Sequence, residues 1–418
     1  MIASTLIGPE VRVRWNPNAT TDLRVSSHRG GPGRIQHRIS LQIRQPTQDP
    51  VDKEITFAVD APFDVSDLTN LDPFVIAALF PAMEAGGRMR VHGPVSRSLI
   101  RNVLDYQSAW SLAAPNICHP FVLEVDEIDD RPCPEAAPYP KTILAFTGGL
   151  DSTLALCRNI SGDAGPTGHD IAATLMINGM GLGRNKSYDI SPQIADLRRI
   201  SERWDRPLAV VDTNLCTVVG RDVLSHGTWL AACLTLFSGD FDVGLLGSSM
   251  FWYSPGLELY GSHPFLDPML SSGQMSIRND EGLYRRTDKI ALLTRYTKAL
   301  EDLRVCFHPY RTETNCCRCE KCIRTMLGFI AVGHPIPPCF PLGIRLKDIG
   351  IGMGSRDGLH KARVVIETAR ENARDDESAI RVLRHRYRRK YAKVAAKETW
   401  SHLVTGRRKA RWHILEGL

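Results

Sequence analysis

Apolar and polar positions alternate over residues 37–44 (His-Arg-Ile-Ser-Leu-Gln-Ile-Arg), and residues 54–59 favour β-branched side chains, so both are expected as strands with one wet face. The apolar stretch from Asp72-Pro73 to Met83 reads as a helix, begun by the proline and closed by Gly86-Gly87. Residues 88–92 follow as a strand, Ser96 as the cap of a helix running to Trp110, and residues 121–125 as a further strand. Prolines 132, 134, 138 and 140 then punctuate the chain, which is how a linker reads, and place a domain boundary near residue 140. Beyond it the pattern changes to strand then helix: strands at 142–146, 171–177, 208–211 and 243–246, helices at 152–159, 191–204 and 227–237. Such alternation predicts an α/β architecture with a doubly wound parallel sheet, preceded by an N-terminal α+β domain. There are no internal repeats.

The 418 residues, 43% of them hydrophobic, suffice for two or three domains with buried cores and exclude disorder as the dominant state. No apolar run reaches the roughly 18 residues of a spanning helix, and the opening residues lack the regions of a signal peptide. A soluble, cytoplasmic protein without a membrane partner is the expectation. Charge is uneven: residues 356–418 carry 17 Lys and Arg against 8 Asp and Glu, so the net charge of +6 is a property of the C-terminal end.

The sharpest motif is Phe146-Thr-Gly-Gly-Leu-Asp-Ser-Thr153, set between an apolar strand and a helix. Gly148 and Gly149 permit a turn that aims successive N–H groups at one point, and the helix beginning near Ser152 adds its positive end, which together make an anion cradle. An ordinary strand-to-helix turn is the competing reading. Gly247-Ser248-Ser249 follows the strand at 243–246, at the edge where open parallel sheets bind ligands; a simple turn competes with a role at the α-phosphate or ribose. The run Gly179-Met-Gly-Leu-Gly-Arg-Asn-Lys186-Ser187 imitates a Walker A loop but has Asn185 where the second glycine belongs, leaving Asn178 and Lys186 as weak contact candidates. His226 and His263 stand in loops without a sequence partner that would make either a base, and read as structural histidines.

Five of the eleven cysteines fall within seventeen residues of a large chain. Cys306, Cys316, Cys319 and Cys322 supply the four thiolates of a closed tetrahedral zinc site, with Cys317 spare and iron–sulfur ligation the main competitor. Arg318, Lys321 and Arg324 would offset the negative charge of such a site.

The loop resembles the signature of the PP-loop ATP pyrophosphatases, within the adenine nucleotide alpha-hydrolase-like superfamily (the HUP fold), with Thr147 in place of the usual serine. The resemblance implies that Thr147, Gly148, Gly149, Leu150, Asp151, Ser152 and Thr153 hold ATP and that a substrate oxygen attacks the α-phosphorus; Gly247 and Ser248 join the nucleotide site on their sheet-edge position alone. From Lys289 through the cysteines to Gly333 the chain is also similar to the 7-cyano-7-deazaguanine synthases, including relatives in antiphage operons. That likeness covers roughly residues 141–335 and implies ATP, Mg²⁺ and Zn²⁺ as cofactors, zinc on the four cysteines, and catalytic roles for Asp151, Ser152, Lys289 and Arg324. It implies adenylation of a 7-carboxy-7-deazaguanine-like carboxylate and transfer to ammonia or a protein amine. Asn178-Gly-Met-Gly departs from the family's Asp-Tyr-Gly-Gln type of sequence, a difference that bears on the substrate rather than on the ATP chemistry.

Residues 381–411 hold 12 Lys and Arg and one Glu, with Tyr387, Tyr391 and Trp400 interleaved. A solvated helix or an acidic partner is preferred there to nucleic acid, because no base-reading motif accompanies the charge. The expected organisation is therefore 1–140, an α+β domain of unassigned role that can meet a protein partner; 141–335, an ATP-binding domain with the zinc site; and 336–418, a basic helical extension. A transfer-RNA-modifying enzyme recruited by the extension, and a nucleotide-responsive scaffold without catalysis, are the alternatives.

Overall fold

The computed structural model describes residues 16–46, 48–131, 140–180, 189–249, 260–306 and 315–405. The first three strands, β1 (Thr20–Gly31), β2 (Arg34–Gln45) and β3 (Gln48–Asp60), form an antiparallel meander. In β2 the alternation is complete: Ile35, His37, Ile39 and Leu41 are buried while Arg34, Gln36, Arg38 and Ser40 face water. Helix α1 (Asp72–Ala85) is apolar on all sides and correspondingly buried along almost its whole length. Strand β4 (Gly87–Ser96) ends at the predicted cap, where the Ser96 hydroxyl accepts from the Leu99 amide (3.2 Å) to start α2 (Arg97–Ala113), and β5 (Phe121–Asp129) follows. Most of the expected linker, residues 132–139, lies outside the described residues.

Strand and helix then alternate as the pattern predicts: β6 (Lys141–Ala145), α3 (Leu150–Ile160), β7 (Asp170–Asn178), α4 (Ser191–Glu202), β8 (Leu208–Thr213), the single turn α5 (Leu215–Val218), α6 (Asp222–Thr235), β9 (Val243–Gly247) and β10 (Ser276–Asp280). Helices close the chain: α7 (Arg286–Leu293), α8 (Thr297–Asp302), α9 (Glu320–Ala331), α10 (Arg356–Glu371) and α11 (Ser378–Thr405). Among the described residues no helix is long and apolar enough to cross a membrane.

All ten strands belong to one sheet, in the order β10-β9-β6-β7-β8-β3-β2-β1-β4-β5. The run β10-β9-β6-β7-β8 is parallel throughout, as are β1-β4 and β4-β5, so the molecule is α/β with a large, mostly parallel sheet. From β6 the chain winds to β7 and β8, then returns to place β9 and β10 on the other side. The carboxyl ends of β6 and β9 thus flank the point where winding reverses, which is where open α/β sheets bind ligands.

The expected division at residue 140 differs from the division into compact units. Among the described residues, one unit comprises those up to Phe146 with 158–249 and 260–280, and contains the entire sheet; the other comprises 147–157 with 281–306 and 315–405. The physical reason is the antiparallel pairing of β3 on β8, from Phe57 opposite Thr213 to Asp60 opposite Val210, which makes one sheet of what the prolines seemed to separate.

Candidate functional site

Strand β6 ends with the Phe146 amide still bonded to the Leu175 carbonyl (2.8 Å), after which the chain leaves the sheet through Thr147-Gly148-Gly149. Gly148 has φ +67°, a conformation that costs a residue with a Cβ about 1–2 kcal/mol. The Arg304 amide pins the bend by donating to the Gly148 carbonyl (2.7 Å). The Ser152 hydroxyl closes it from inside, accepting from the Thr147 amide and donating to the Gly149 carbonyl, both at 3.4 Å. The Thr153 amide on the Gly149 carbonyl (2.9 Å) is the first helical bond of α3. Thr147 is exposed at the mouth of the bend, Gly149 is partly exposed and Gly148 is buried, so the bend meets solvent through Thr147 and Gly149. Leu150 turns its side chain into the core, which leaves only its backbone for a ligand. Thr153 is buried and its hydroxyl oxygen has no hydrogen-bond partner among the described residues.

In the same compact unit, three cations, Arg286, Lys289 and Lys321, gather around Asp151, and a fourth, Arg324, acts on Arg286 and Lys321. Arg286 and Lys289 stand one turn apart on α7, and Lys321 and Arg324 one turn apart on α9, so each helix presents two charges on one face. The Lys289 ammonium, only 2% exposed, donates to one Asp151 oxygen (3.1 Å), and Arg286 reaches the other at 3.5 Å while donating to the Thr325 hydroxyl (3.1 Å). Arg324 pairs with Glu320 at 3.1 Å. Burial would raise the Asp151 carboxyl, but the charges of Lys289 and Arg286 beside it hold it below the ordinary carboxylate range. Burial, with the Arg324 charge, brings Arg286 down to about 10; burial, with Arg286, brings Lys321 down to about 8. Four cations facing the two carboxylates of Asp151 and Glu320 leave a positive excess preorganised for an anion.

Arg286 is absent from the sequence-based site: both Arg285 (i, i+4) and Arg286 (i, i+3) stand at helical spacing from Lys289, so spacing alone does not single it out. The cations assigned to the thiolates have other partners. Lys321 lies in the electrostatic field of Arg286 and Asp151, and Arg318 donates to the carbonyls of Cys317 (2.8 Å) and Gly343 (2.9 Å).

The sulfurs of Cys306, Cys316, Cys319 and Cys322 all lie within 4.8 Å of one another and can hold a metal ion. Cys306 is 3.9 Å from Cys319 and Cys316 is 3.8 Å from Cys322. These match the edge of a tetrahedral thiolate site, about 3.8 Å for metal–sulfur bonds of about 2.3 Å, and far exceed the roughly 2.05 Å of a disulfide. Backbone amides of Arg318 and Cys319 donate to the Cys316 sulfur (3.4 and 3.2 Å), and that of Cys322 to the Cys319 sulfur (3.5 Å). Cys317, at φ +56°, turns away and donates to the Asn315 carbonyl (3.3 Å), consistent with its being the spare thiol. The Asn315 side chain fastens the approach, accepting from the amides of Val305 and Cys306 and donating to the carbonyls of Leu303 and Cys339.

The remaining candidates lie in the first unit or outside the described residues. Gly247 ends β9 at the sheet's carboxyl edge; Ser248 is fully buried and its amide donates to the Asp280 carbonyl (2.8 Å). Asn178 donates its side-chain amide to Asp212, and Lys186 lies outside the described residues. Burial lowers His226 to about 4, with its ring against Tyr260, and His263 is buried with its ring stacked on Phe265. Both are packed histidines, as expected, but His226 lies within α6 rather than in a loop, because that helix begins five residues earlier than the apolar pattern suggested. A wide groove of about 1150 Å³, lined among others by Arg34, Asp60, Phe63 and Arg198, contains none of the loop residues; there Arg34 and Arg198 both pair with Asp60, at 3.5 and 2.9 Å.

Comparison with protein-family models, with curated proteins and with solved structures finds no match for this chain.

Proposed function

We propose that this chain is an ATP-dependent carbon–nitrogen ligase of the PP-loop class that forms AMP and pyrophosphate. The observation that carries the reading is the glycine bend at 147–149, exposed at Thr147, in the same compact unit as the Arg286, Lys289, Lys321 and Arg324 cluster. The strand order β8-β7-β6-β9-β10, with the bend leaving the central strand, is that of doubly wound nucleotide-binding sheets and supports the HUP assignment.

In this reading the amides of 148–150 and the start of α3 receive the β- and γ-phosphates, and the orphaned Thr153 hydroxyl finds its partner there. A carboxylate oxygen of the substrate attacks the α-phosphorus, the bond to the β-phosphate oxygen breaks, and pyrophosphate departs with the electron pair. Lys289 and Arg324, with Arg286 and Lys321, neutralise charge growing on that leaving group, and Asp151 holds Lys289 and Arg286 in position. An amine nitrogen then attacks the acyl carbon and loses a proton as AMP leaves. No side chain of the protein needs to act as nucleophile. Mg²⁺ carried in with ATP would add positive charge on the phosphates alongside these side chains.

Zinc is the ion proposed for Cys306, Cys316, Cys319 and Cys322: four sulfurs so close together close around one ion and leave no space for a cluster of several irons. A closed set of four protein ligands makes the ion structural. The resemblance to 7-cyano-7-deazaguanine synthases supplies the substrate, a 7-carboxy-7-deazaguanine-like carboxylate, and ammonia or a protein amine as acceptor.

The test is incubation with ATP, Mg²⁺, 7-carboxy-7-deazaguanine and a panel of amines. AMP and pyrophosphate in equal amounts, with an amide product, are expected. ADP as the product, or ATP binding without turnover across the panel, would overturn the reading, the latter in favour of a nucleotide-responsive scaffold.

A further inference from the structure

Helix α11 uses its basic residues in two different ways. Arg384 pairs with Asp375 (3.3 Å), Arg386 donates to the carbonyls of Lys347 (2.8 Å) and Ile349, and Lys390 donates to the Gly350 carbonyl (2.5 Å). With Ile380, Leu383 and Tyr387 buried, these bonds fix the helix to its own unit along its first three turns. Arg381, Arg388, Arg389 and Lys393 are instead exposed, and have no ion pair or side-chain hydrogen bond among the described residues. At 100° and 1.5 Å per residue these four lie within about 140° of arc and span about 18 Å of helix. Exposed His385 lies among them, and no acidic residue falls between 381 and 393.

We propose that this outer face of α11 binds the phosphate backbone of a nucleic acid, by charge and without reading sequence. An acidic protein is the rival polyanion. Protein interfaces are anchored by buried aromatic and aliphatic side chains and deplete charge at their core, and no large hydrophobic residue is exposed on the described part of α11. A rigidly mounted row of unpaired cations with no apolar anchor fits a surface whose affinity comes from counterion release. The missing base-reading motif is then what non-specific binding requires. The inference goes beyond the ligase reading and does not depend on it.

The experiment uses the full chain with a fluorescent 20-base-pair DNA duplex and with transfer RNA, titrated at a series of salt concentrations. Four phosphate contacts give a log–log salt slope of about −3.6 on the duplex, roughly a 100-fold loss of affinity between 50 and 200 mM salt. The combined variant Arg381→Glu, Arg388→Glu, Arg389→Glu and Lys393→Glu should keep its circular dichroism and melting temperature and lose that slope. The control variant Arg295→Glu with Lys298→Glu, on exposed positions elsewhere in the unit, should bind as the parent does. Binding to either nucleic acid that falls with salt and with the four substitutions supports the proposal. Absent or salt-independent binding, binding unchanged in the four-fold variant, or capture of polyglutamate in preference to both probes would overturn it.

Discussion

Asp151 ties the loop to the cations, since it belongs to the first turn of α3 while its two oxygens face α7. Replacing Lys289 by Met breaks a pair in which the lysine is almost fully buried, and a loss of about 3–5 kcal/mol on chemical denaturation is expected. Arg324→Gln, at a less buried position, should leave the fold and metal content intact and lower AMP formation by roughly 10²–10³-fold, as for loss of one donor to a developing anion. An activity near that of the parent would remove Arg324 from the machinery. Burial raises Asp267 to about 6, although the Ser262 hydroxyl and the His263 amide donate to it. A carboxyl raised in the folded state favours folding while protonated, so its contribution is full below about pH 4 and is lost as pH rises through 6. The shift corresponds to about 3 kcal/mol. His37 and His226, both lowered to about 4 mainly by burial, act with the opposite sign, their contribution being lost as pH falls from about 6.5 to 4. Denaturation of the parent and of Asp267→Asn at pH 4 and pH 7 separates the two: the change in stability on going to pH 7 should be less favourable in the parent than in the variant. Equal changes would contradict the assignment. At this scale the glycine bend was legible from Gly148-Gly149 and its flanking pattern. Arg286 was not, because nothing in a single sequence says which of two adjacent arginines turns inward.

At the scale of elements, helix α9 begins in the metal group: Cys319 caps it, accepting from the Cys322 amide, and Lys321 stands between these two ligands. An ion held by these cysteines would therefore fix the register of the helix that carries Lys321 and Arg324. Cys322→Ser should abolish a stoichiometric metal, lower the melting temperature and reduce AMP formation together; metal retained at one per chain would show that the other cysteines suffice. Zinc by elemental analysis in a colourless protein is expected, and visible absorption from iron–sulfur bonds would contradict zinc. The cysteine group was readable because its ligands are close in sequence. Strand β1 was not expected, since beyond Val25 it is nearly all exposed and lacks the apolar alternation that marks β2.

At the scale of the whole molecule, the sequence showed two rhythms and suggested two sheets, but β3 pairs with β8 across some 150 residues and makes one. No local pattern encodes such a partner. The consequence is that residues 141–418 alone would expose the β8 edge and the surface of α6 that packs on α1. That fragment should aggregate or unfold without cooperativity, and a fragment melting like the full chain would show that the N-terminal strands are dispensable. The central claim is the attack of a carboxylate oxygen on the α-phosphorus of ATP, with the bend and the four cations holding the phosphates that leave. Its most direct test is mass spectrometry of the AMP formed from ATP and ¹⁸O-labelled 7-carboxy-7-deazaguanine in the presence of an amine. One labelled oxygen transferred to AMP is the predicted result; unlabelled AMP, or ADP in its place, would contradict it.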